Sequence, residues 1–187
     1  MATQLSIINT ALVLVGAETI ASLEDSSREA RVAGLVYDVT RDDILTRHLW
    51  VHTLGQAQLA ELVATPLFGY SRAYQLPTDP KMLRLVRKNQ PRNDYEIFED
   101  KLYTDDSAVE IIYQFDPGES SDPAYLVRSM EYEFAKIFAL SLLQDETQSQ
   151  IFDRMAERQL KVARRLDSQN IPPKQIDDSE FVLTAVR

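Results

Sequence analysis

The chain has two histidines, His48 and His52, and they stand four residues apart. On a helix this spacing places both imidazoles on one face, where they could hold a metal ion. A third ligand is not evident, because the sequence has no His-Glu-x-x-His pattern and no cysteine. The pair also brackets Trp50 near the expected end of a helix, which favours core or boundary positions. We therefore expect no metal site and no cofactor.

Acidic residues crowd the stretch from Asp94 to Asp122. A glycoside hydrolase needs two carboxyl groups, one of which becomes a general acid in an apolar pocket. Sequence spacing does not reveal that geometry, and charged strand edges that prevent sheet-to-sheet aggregation explain the same residues. No nucleophile elbow, Walker loop or dinucleotide motif is present. The sequence therefore predicts a protein that is not an enzyme, with a cell-wall hydrolase as the alternative.

Two basic clusters stand out against a formal net charge of -9. Each would contact phosphate or an acidic partner, although a solvated surface explains both as well. A DNA-binding module is a further alternative, but the acidic chain opposes non-specific adhesion to nucleic acid and to anionic membranes. The first cluster, on a strand and the loop after it, comprises Lys81, Arg84, Arg87, Lys88 and Arg92, and the second, on the last helix, comprises Arg154, Arg158, Lys161 and Arg165.

Helices are predicted at both ends of the chain. Residues 1–17 are uncharged, carry apolar side chains at three- and four-residue steps, and end at Gly16, which can close a helix. They lack the basic start of an export signal, so we expect a buried helix. A second helix is expected to begin at Ser26 or Ser27 and to run to about Arg47.

In the middle of the chain, apolar and polar residues alternate with the two-residue period of β-strands. Strands are expected at Tyr70–Leu76, around Leu83 and Leu85, and at Val109–Phe115. Between them, Tyr95–Phe98 and Lys101–Thr104 are expected to form a hairpin that turns at Glu99 and Asp100.

Two further helices are predicted after this region. From Ala124 to Leu143, apolar side chains cover most of the helix circumference, so this helix should be the centre of a bundle. The last helix, about Thr147 to Leu166, is amphipathic, with the second basic cluster opposite its apolar face. That apolar face comprises Ile151, Met155, Val162 and Leu166. Beyond it, Phe181, Val182 and Leu183 form a short apolar group without a place in the bundle.

The order of these elements predicts an α+β fold that is mainly α. The N- and C-terminal helices would form a four-helix bundle from residues 1–66 and 117–168. Residues 67–116 would form a small antiparallel β insertion, and residues 169–187 an extended tail.

Several motifs in a fixed order resemble the tail tubular protein A family of podovirus-type phages. They are ALVLVGAETIASLED near the start, RDDILTRHLW, FGYSRAYQLPTDPKMLRLVR over Phe68–Arg87, and EIFEDKLYTDDSAVEIIYQF before an Asp-Pro turn. The resemblance covers Leu5 to about Leu166, and none of its motifs is catalytic. The family often has a proline before the tryptophan, where this chain has Leu49.

The resemblance implies a structural adaptor between head and tail of a virion. Such a protein, made in the host cytoplasm, forms a ring of about twelve copies between the portal and the tail nozzle, and genome DNA passes through the lumen without sequence-specific binding. No membrane is involved. The subunit or portal interface would then include Arg154, Arg158, Lys161, Arg165, Phe181, Val182 and Leu183, and the nozzle or neighbour contact would include Arg84, Arg87, Lys88 and Arg92.

Overall fold

A computed structural model describes residues 2–64, 66–89 and 94–170 of the chain. The helices in these ranges are α1 (Gln4–Val15), α2 (Arg28–Thr46), α3 (Ala124–Ser141) and α4 (Glu146–Ser168). The strands are β1 (Leu54–Gln58), β2 (Arg72–Gln75), β3 (Met82–Lys88), β4 (Tyr95–Phe98), β5 (Lys101–Thr104) and β6 (Glu110–Phe115).

Local signals set the ends of the first two helices. Thr3 and Ser6 form a reciprocal capping box at the start of α1, and Gly16 closes that helix in the left-handed conformation at φ 78°. The Ser27 side chain caps α2 by accepting a hydrogen bond from the Ala30 amide. Both the predicted glycine stop and the predicted serine start are confirmed.

Helix α3 is the centre of the helical core, as predicted. Its side chains Met130, Phe134 and Phe138 are fully buried among apolar residues of the other helices. The ring of Tyr37 on α2 stacks on Phe134 with centroids 5.2 Å apart. Helices α1, α2 and α4 therefore pack around α3.

The six strands form two antiparallel sheets of three strands each. The first sheet has the order β1-β6-β3 and the second has the order β2-β5-β4. The predicted hairpin is confirmed, since β4 pairs with β5 and Glu99 in its turn has a positive φ of 56°. The two sheets share an apolar core of their own, which comprises Leu59, Tyr74, Leu76, Leu102, Val109, Ile111 and Tyr113.

The first sheet is fixed to the helices through the buried side chain of Gln114 on β6. Its amide nitrogen donates hydrogen bonds to the carbonyl oxygens of Leu45 and His48, at 2.7 and 2.8 Å, and to Thr53 Oγ1 at 3.0 Å. Its amide oxygen accepts a bond from Arg84 Nε at 2.8 Å. The sheet and the end of α2 therefore form one connected body.

The predicted fold class, a simple four-helix bundle with a small β insertion, is wrong. Two sheets with a core of their own stand beside the four helices, and β1 starts at Leu54, well before the expected insertion. The β1 sequence LGQAQ has weak strand propensity, so no alternating pattern reveals it. Pairing with β6 makes it a strand, and Gly55 suits that pairing because a Cβ there would lie 3.0 Å from the Tyr113 ring.

Candidate interaction surfaces

The buried guanidinium of Arg41 joins α2 to the segment between β6 and α3. It donates two hydrogen bonds to Asp116, at 2.8 and 2.7 Å, and one to Asp122 at 2.6 Å. Arg41 and Asp122 side chains are only 3% and 0% exposed. Burial opposes ionisation of Asp116, but hydrogen bonds from Arg41 and from the Gly118 amide outweigh it and hold the pKa of Asp116 below its usual value. This group of charges is structural.

A second buried carboxylate, Asp167, fastens the end of α4. It accepts hydrogen bonds from the Val51 amide at 3.2 Å and from the Tyr125 hydroxyl at 2.9 Å. Burial and the bond to Asp167 raise the pKa of Tyr125 to about 12. Trp50, which is fully buried beside these groups, donates from Nε1 to the Ile44 carbonyl. The Asp167 contacts therefore pin α4 to the junction between α2 and β1.

The two histidines each contact an acid on a different element. His48 Nε2 lies 3.4 Å from Asp167, and His52 Nε2 lies 3.2 Å from Asp122. Burial lowers the pKa of His48. Among the described residues no group of three metal-ligating side chains occurs.

The first basic cluster does not form one exposed patch. Arg84 is half-buried and donates a hydrogen bond to Gln114, and among the predicted nozzle contacts that the structure describes only Arg87 is exposed. Lys88 is buried in an ion pair with Asp106, so its ammonium is not presented to a partner. Arg92 lies outside the described residues.

The second basic cluster lies on a helix face that also exposes apolar side chains. We define the α4 face as Ile151, Met155, Arg158, Val162 and Leu166, with Arg154 and Arg165 beside it. Ile151 and Val162 are 50% and 44% exposed, and Arg158 sits between Met155 and Val162 at helical spacing. The predicted shared apolar face is present, but it faces outward, and the basic residues adjoin it instead of lying opposite. Lys161 is also exposed, while Phe181, Val182 and Leu183 lie outside the described residues.

The residues of α4 that pack inward are Phe152, Ala156 and Ala163, together with Asp167. On the flank of α4 away from its exposed face, Asp153 pairs with Lys136 at 3.2 Å. On the same flank, Arg164 donates to the Arg47 carbonyl at the end of α2 at 3.0 Å. The α4 face is therefore turned away from α2.

Two further exposed apolar surfaces were not predicted. On α2, Leu35 and Val39 are 80% and 73% exposed and stand one helical turn apart. We define the α2 face as Leu35, Asp38, Val39 and Asp42. On the second sheet, Leu67 and Phe68 lie beside Phe98 of the β4–β5 hairpin around an open cavity of about 220 Å³. We define the β tip as Leu67, Phe68 and Phe98.

The exposure of these apolar side chains was not predicted from the sequence. The sequence predicts that Ala30, Ala33, Tyr37 and Ile44 of the second helix point inward, and the structure buries all four. Leu35 and Val39 lie on the opposite, outer side of the same helix. Exposed apolar patches of this kind mark contacts with other proteins.

No protein-family model matches the chain, and no curated protein matches it. None of the helices in the described part of the chain has the length and apolarity needed to cross a membrane.

Proposed function

We propose that this protein is a structural adaptor of a tailed bacteriophage, which forms a ring between the portal and the tail nozzle and surrounds the DNA channel. The observation that carries the proposal is that the described part of the chain exposes apolar side chains on separate surfaces, among them those on α4, on α2 and at the β tip. A subunit of this ring contacts two neighbours, the portal and the nozzle, and separate exposed apolar surfaces suit contacts with several partners.

Several residues in the motifs that resemble the phage family make contacts that stabilise this fold. Arg41 holds two acids across the core, and Trp50 is fully buried at the end of α2. At the end of the motif ALVLVGAETIASLED, the Asp25 carboxylate accepts hydrogen bonds from the Ala21 and Ser22 amides and closes a turn. The motif residues named here therefore have contacts that stabilise the fold, as the adaptor proposal expects of them.

The acids between Asp94 and Asp122, which suggested a cell-wall hydrolase, do not support that alternative. Of these acids, Asp122 has a fully buried side chain and Asp116 a half-buried one, and both bind Arg41. A general acid needs a raised pKa, whereas the pKa of Asp116 is lowered.

The charge of the chain suits a lumen that DNA traverses. Each subunit carries a formal net charge of -9. In a ring of many copies these charges add up to a strong negative electrostatic potential. Like charge between wall and phosphate discourages adhesion, so DNA would pass without sequence-specific binding.

Electron microscopy of the protein mixed with a phage portal protein tests the proposal. We expect a monomer in isolation and a ring seated on the portal when the two are combined. The protein alone and the portal alone are the controls. A light-scattering mass that stays monomeric after portal is added would contradict the proposal.

Residues 171–187 belong to the same proposal, because Phe181, Val182 and Leu183 are candidates for portal contact. Deleting residues 171–187 should weaken binding to the portal. Unchanged portal affinity in the deletion variant would remove this segment from the interface and leave the described surfaces as candidates.

A further inference from the structure

The geometry points to a specific subunit contact: we propose that the α4 face of one copy packs against the α2 face of a second copy. This contact rests on the proposed function, because it assigns the two surfaces through which neighbouring subunits of the proposed ring would meet. It involves only side chains of helices α2 and α4, which lie among the described residues.

Both faces have the pattern of helices that pack against a partner helix. On α2, Leu35, Asp38, Val39 and Asp42 recur at steps of three and four residues and therefore form one outward stripe. On α4, Ile151, Met155, Arg158, Val162 and Leu166 recur at the same steps. Within these stripes, apolar side chains four residues apart occur once on α2, at Leu35 and Val39, and twice on α4, at Ile151 and Met155 and at Val162 and Leu166. Side chains at this spacing form the ridges that interdigitate when two helices cross.

The charges of the two faces are complementary. The α4 face carries Arg158 in its middle, with Arg154 and Arg165 along its border, while the α2 face carries Asp38 and Asp42. Asp42 already pairs with Lys81, and both partners are exposed enough to exchange that weak surface contact for another. Opposite charge at the border of an apolar contact steers the two surfaces together and fixes their register.

Like charge disfavours the simplest alternative, in which two copies pair through their α4 faces. In an antiparallel helix pair related by a twofold axis, equivalent borders of the two helices meet. Arg154, Arg158 and Arg165 of one copy would then approach the same arginines of the other. Such a contact is repulsive unless an anion intervenes.

The positions of the two faces make the contact head-to-tail. Because the α4 face is turned away from α2, the two faces of one copy cannot meet each other and each is free to engage a different neighbour. A contact between unlike faces repeats from copy to copy, and it closes into a ring when the rotation allows. This is the symmetry that the proposed adaptor needs.

Thiol cross-linking tests the contact cleanly, because the chain contains no cysteine of its own. One preparation carries Val39→Cys, and the other carries Met155→Cys with Val162→Cys. The two are mixed with a short bismaleimide, both as free protein at high concentration and on portal whose thiols have been blocked. We expect a covalent dimer in the mixture at a yield at least about fivefold above that of either preparation alone.

A matched control places the α4 cysteine on the other side of the same helix. Glu157→Cys is exposed and only two residues from Met155, but it points away from the α4 face. A yield with Glu157→Cys equal to that with the α4-face cysteines would overturn the pairing. Dimers of the Met155→Cys and Val162→Cys protein by itself would also overturn it, in favour of a twofold α4 contact. Cross-linking of that protein to Leu67→Cys instead of Val39→Cys would assign the α4 face to the β tip of a neighbour.

Charge exchange supplies a second measurement. Arg158→Asp should lower the cross-linking yield at least about fivefold, and Asp38→Arg on the opposing copy should restore it. If Asp38→Arg does not restore the cross-linking yield, the pairing between Arg158 and Asp38 is refuted.

The outcomes separate this contact from the proposed function. Rings on the portal without the expected cross-link would refute the pairing and leave the adaptor standing. The expected cross-link without rings would support the pairing as self-association and count against the adaptor.

Discussion

At the scale of single residues, Arg41 shows how a buried cation can hold a fold together. Its guanidinium reaches Asp116 and Asp122, which lie more than seventy residues further along the chain. The Tyr37 hydroxyl extends the same group by donating to Glu119 at 3.0 Å. Burying these charges costs solvation free energy, and the pairing is favourable because each carboxylate receives a hydrogen bond in good geometry.

Replacing Arg41 by Met tests this account. The substitution leaves the buried Asp122 carboxylate without its guanidinium, and we expect the free energy of unfolding to fall by about 3–5 kcal/mol. Chemical denaturation measures the loss. Arg72→Met is the matched control, because Arg72 pairs with Glu61 on the surface and its removal should cost less than about 1 kcal/mol. Equal losses in the two variants would show that the Arg41 group does not stabilise the fold.

The lowered pKa of Asp116 predicts how stability depends on pH. Its carboxyl has a folded-state pKa below its ordinary value of 3.8, so the native state stabilises the ionised form. That contribution is complete above the unfolded pKa and is lost as pH falls through the folded pKa. In Asp116→Asn the fall of unfolding free energy between about pH 4 and pH 2 should be shallower, by at most ~1.4 kcal/mol per pH unit. Denaturation curves across that range measure the slope, and identical slopes would contradict the assignment.

At the scale of elements, the contact between the end of α4 and the α2–β1 junction depends on Asp167. Asp167→Ala would leave the Val51 amide and the Tyr125 hydroxyl without their acceptor, and we expect a loss of about 2 kcal/mol in unfolding free energy. Hydrogen exchange at the Val51 amide should accelerate. Asp153→Ala, at a half-exposed carboxylate on the same helix, is the control and should leave that exchange unchanged. Unaltered Val51 exchange in Asp167→Ala would refute the role of this carboxylate.

Elements with strong local signals were predictable, and those that depend on distant partners were not. Gly16 and Ser27 mark helix ends through their own backbone and side-chain chemistry, so their role is visible in the sequence. Strand β1 has no such signal, since its state comes from pairing with β6 across more than fifty residues. The burial of Lys88 is likewise invisible without Asp106, which lies on the loop after β5.

The orientation of α4 was misread for a different reason. The prediction grouped Ile151, Met155, Val162 and Leu166 because these apolar residues recur at steps of four and seven along α4. The inward side instead uses Ala156 and Ala163 beside Phe152, because small residues let α4 approach α3 closely. The sequence thus predicted which residues share a face, but the partner helix decides which face is buried.

At the scale of the whole molecule, stability and assembly are expected to use different residues. The helical core and the core between the sheets are complete without the α4 face, the α2 face or the β tip. Exposed side chains contribute little to the unfolding free energy of a subunit. The three surfaces are therefore free to serve contacts with other copies and other proteins.

This separation gives a prediction for α4. Replacing Met155 and Val162 by Ser should change the unfolding free energy by less than about 0.5 kcal/mol each, because both side chains are partly exposed. The same double variant should fail to form rings on the portal, since it removes the apolar part of the proposed contact. Chemical denaturation and electron microscopy of one preparation measure the two effects. Leu67→Ser with Phe68→Ser, at the β tip, is the matched control and should leave ring formation intact, because the subunit contact is assigned to α2 and α4. Rings of normal yield from the α4 variant would refute that assignment.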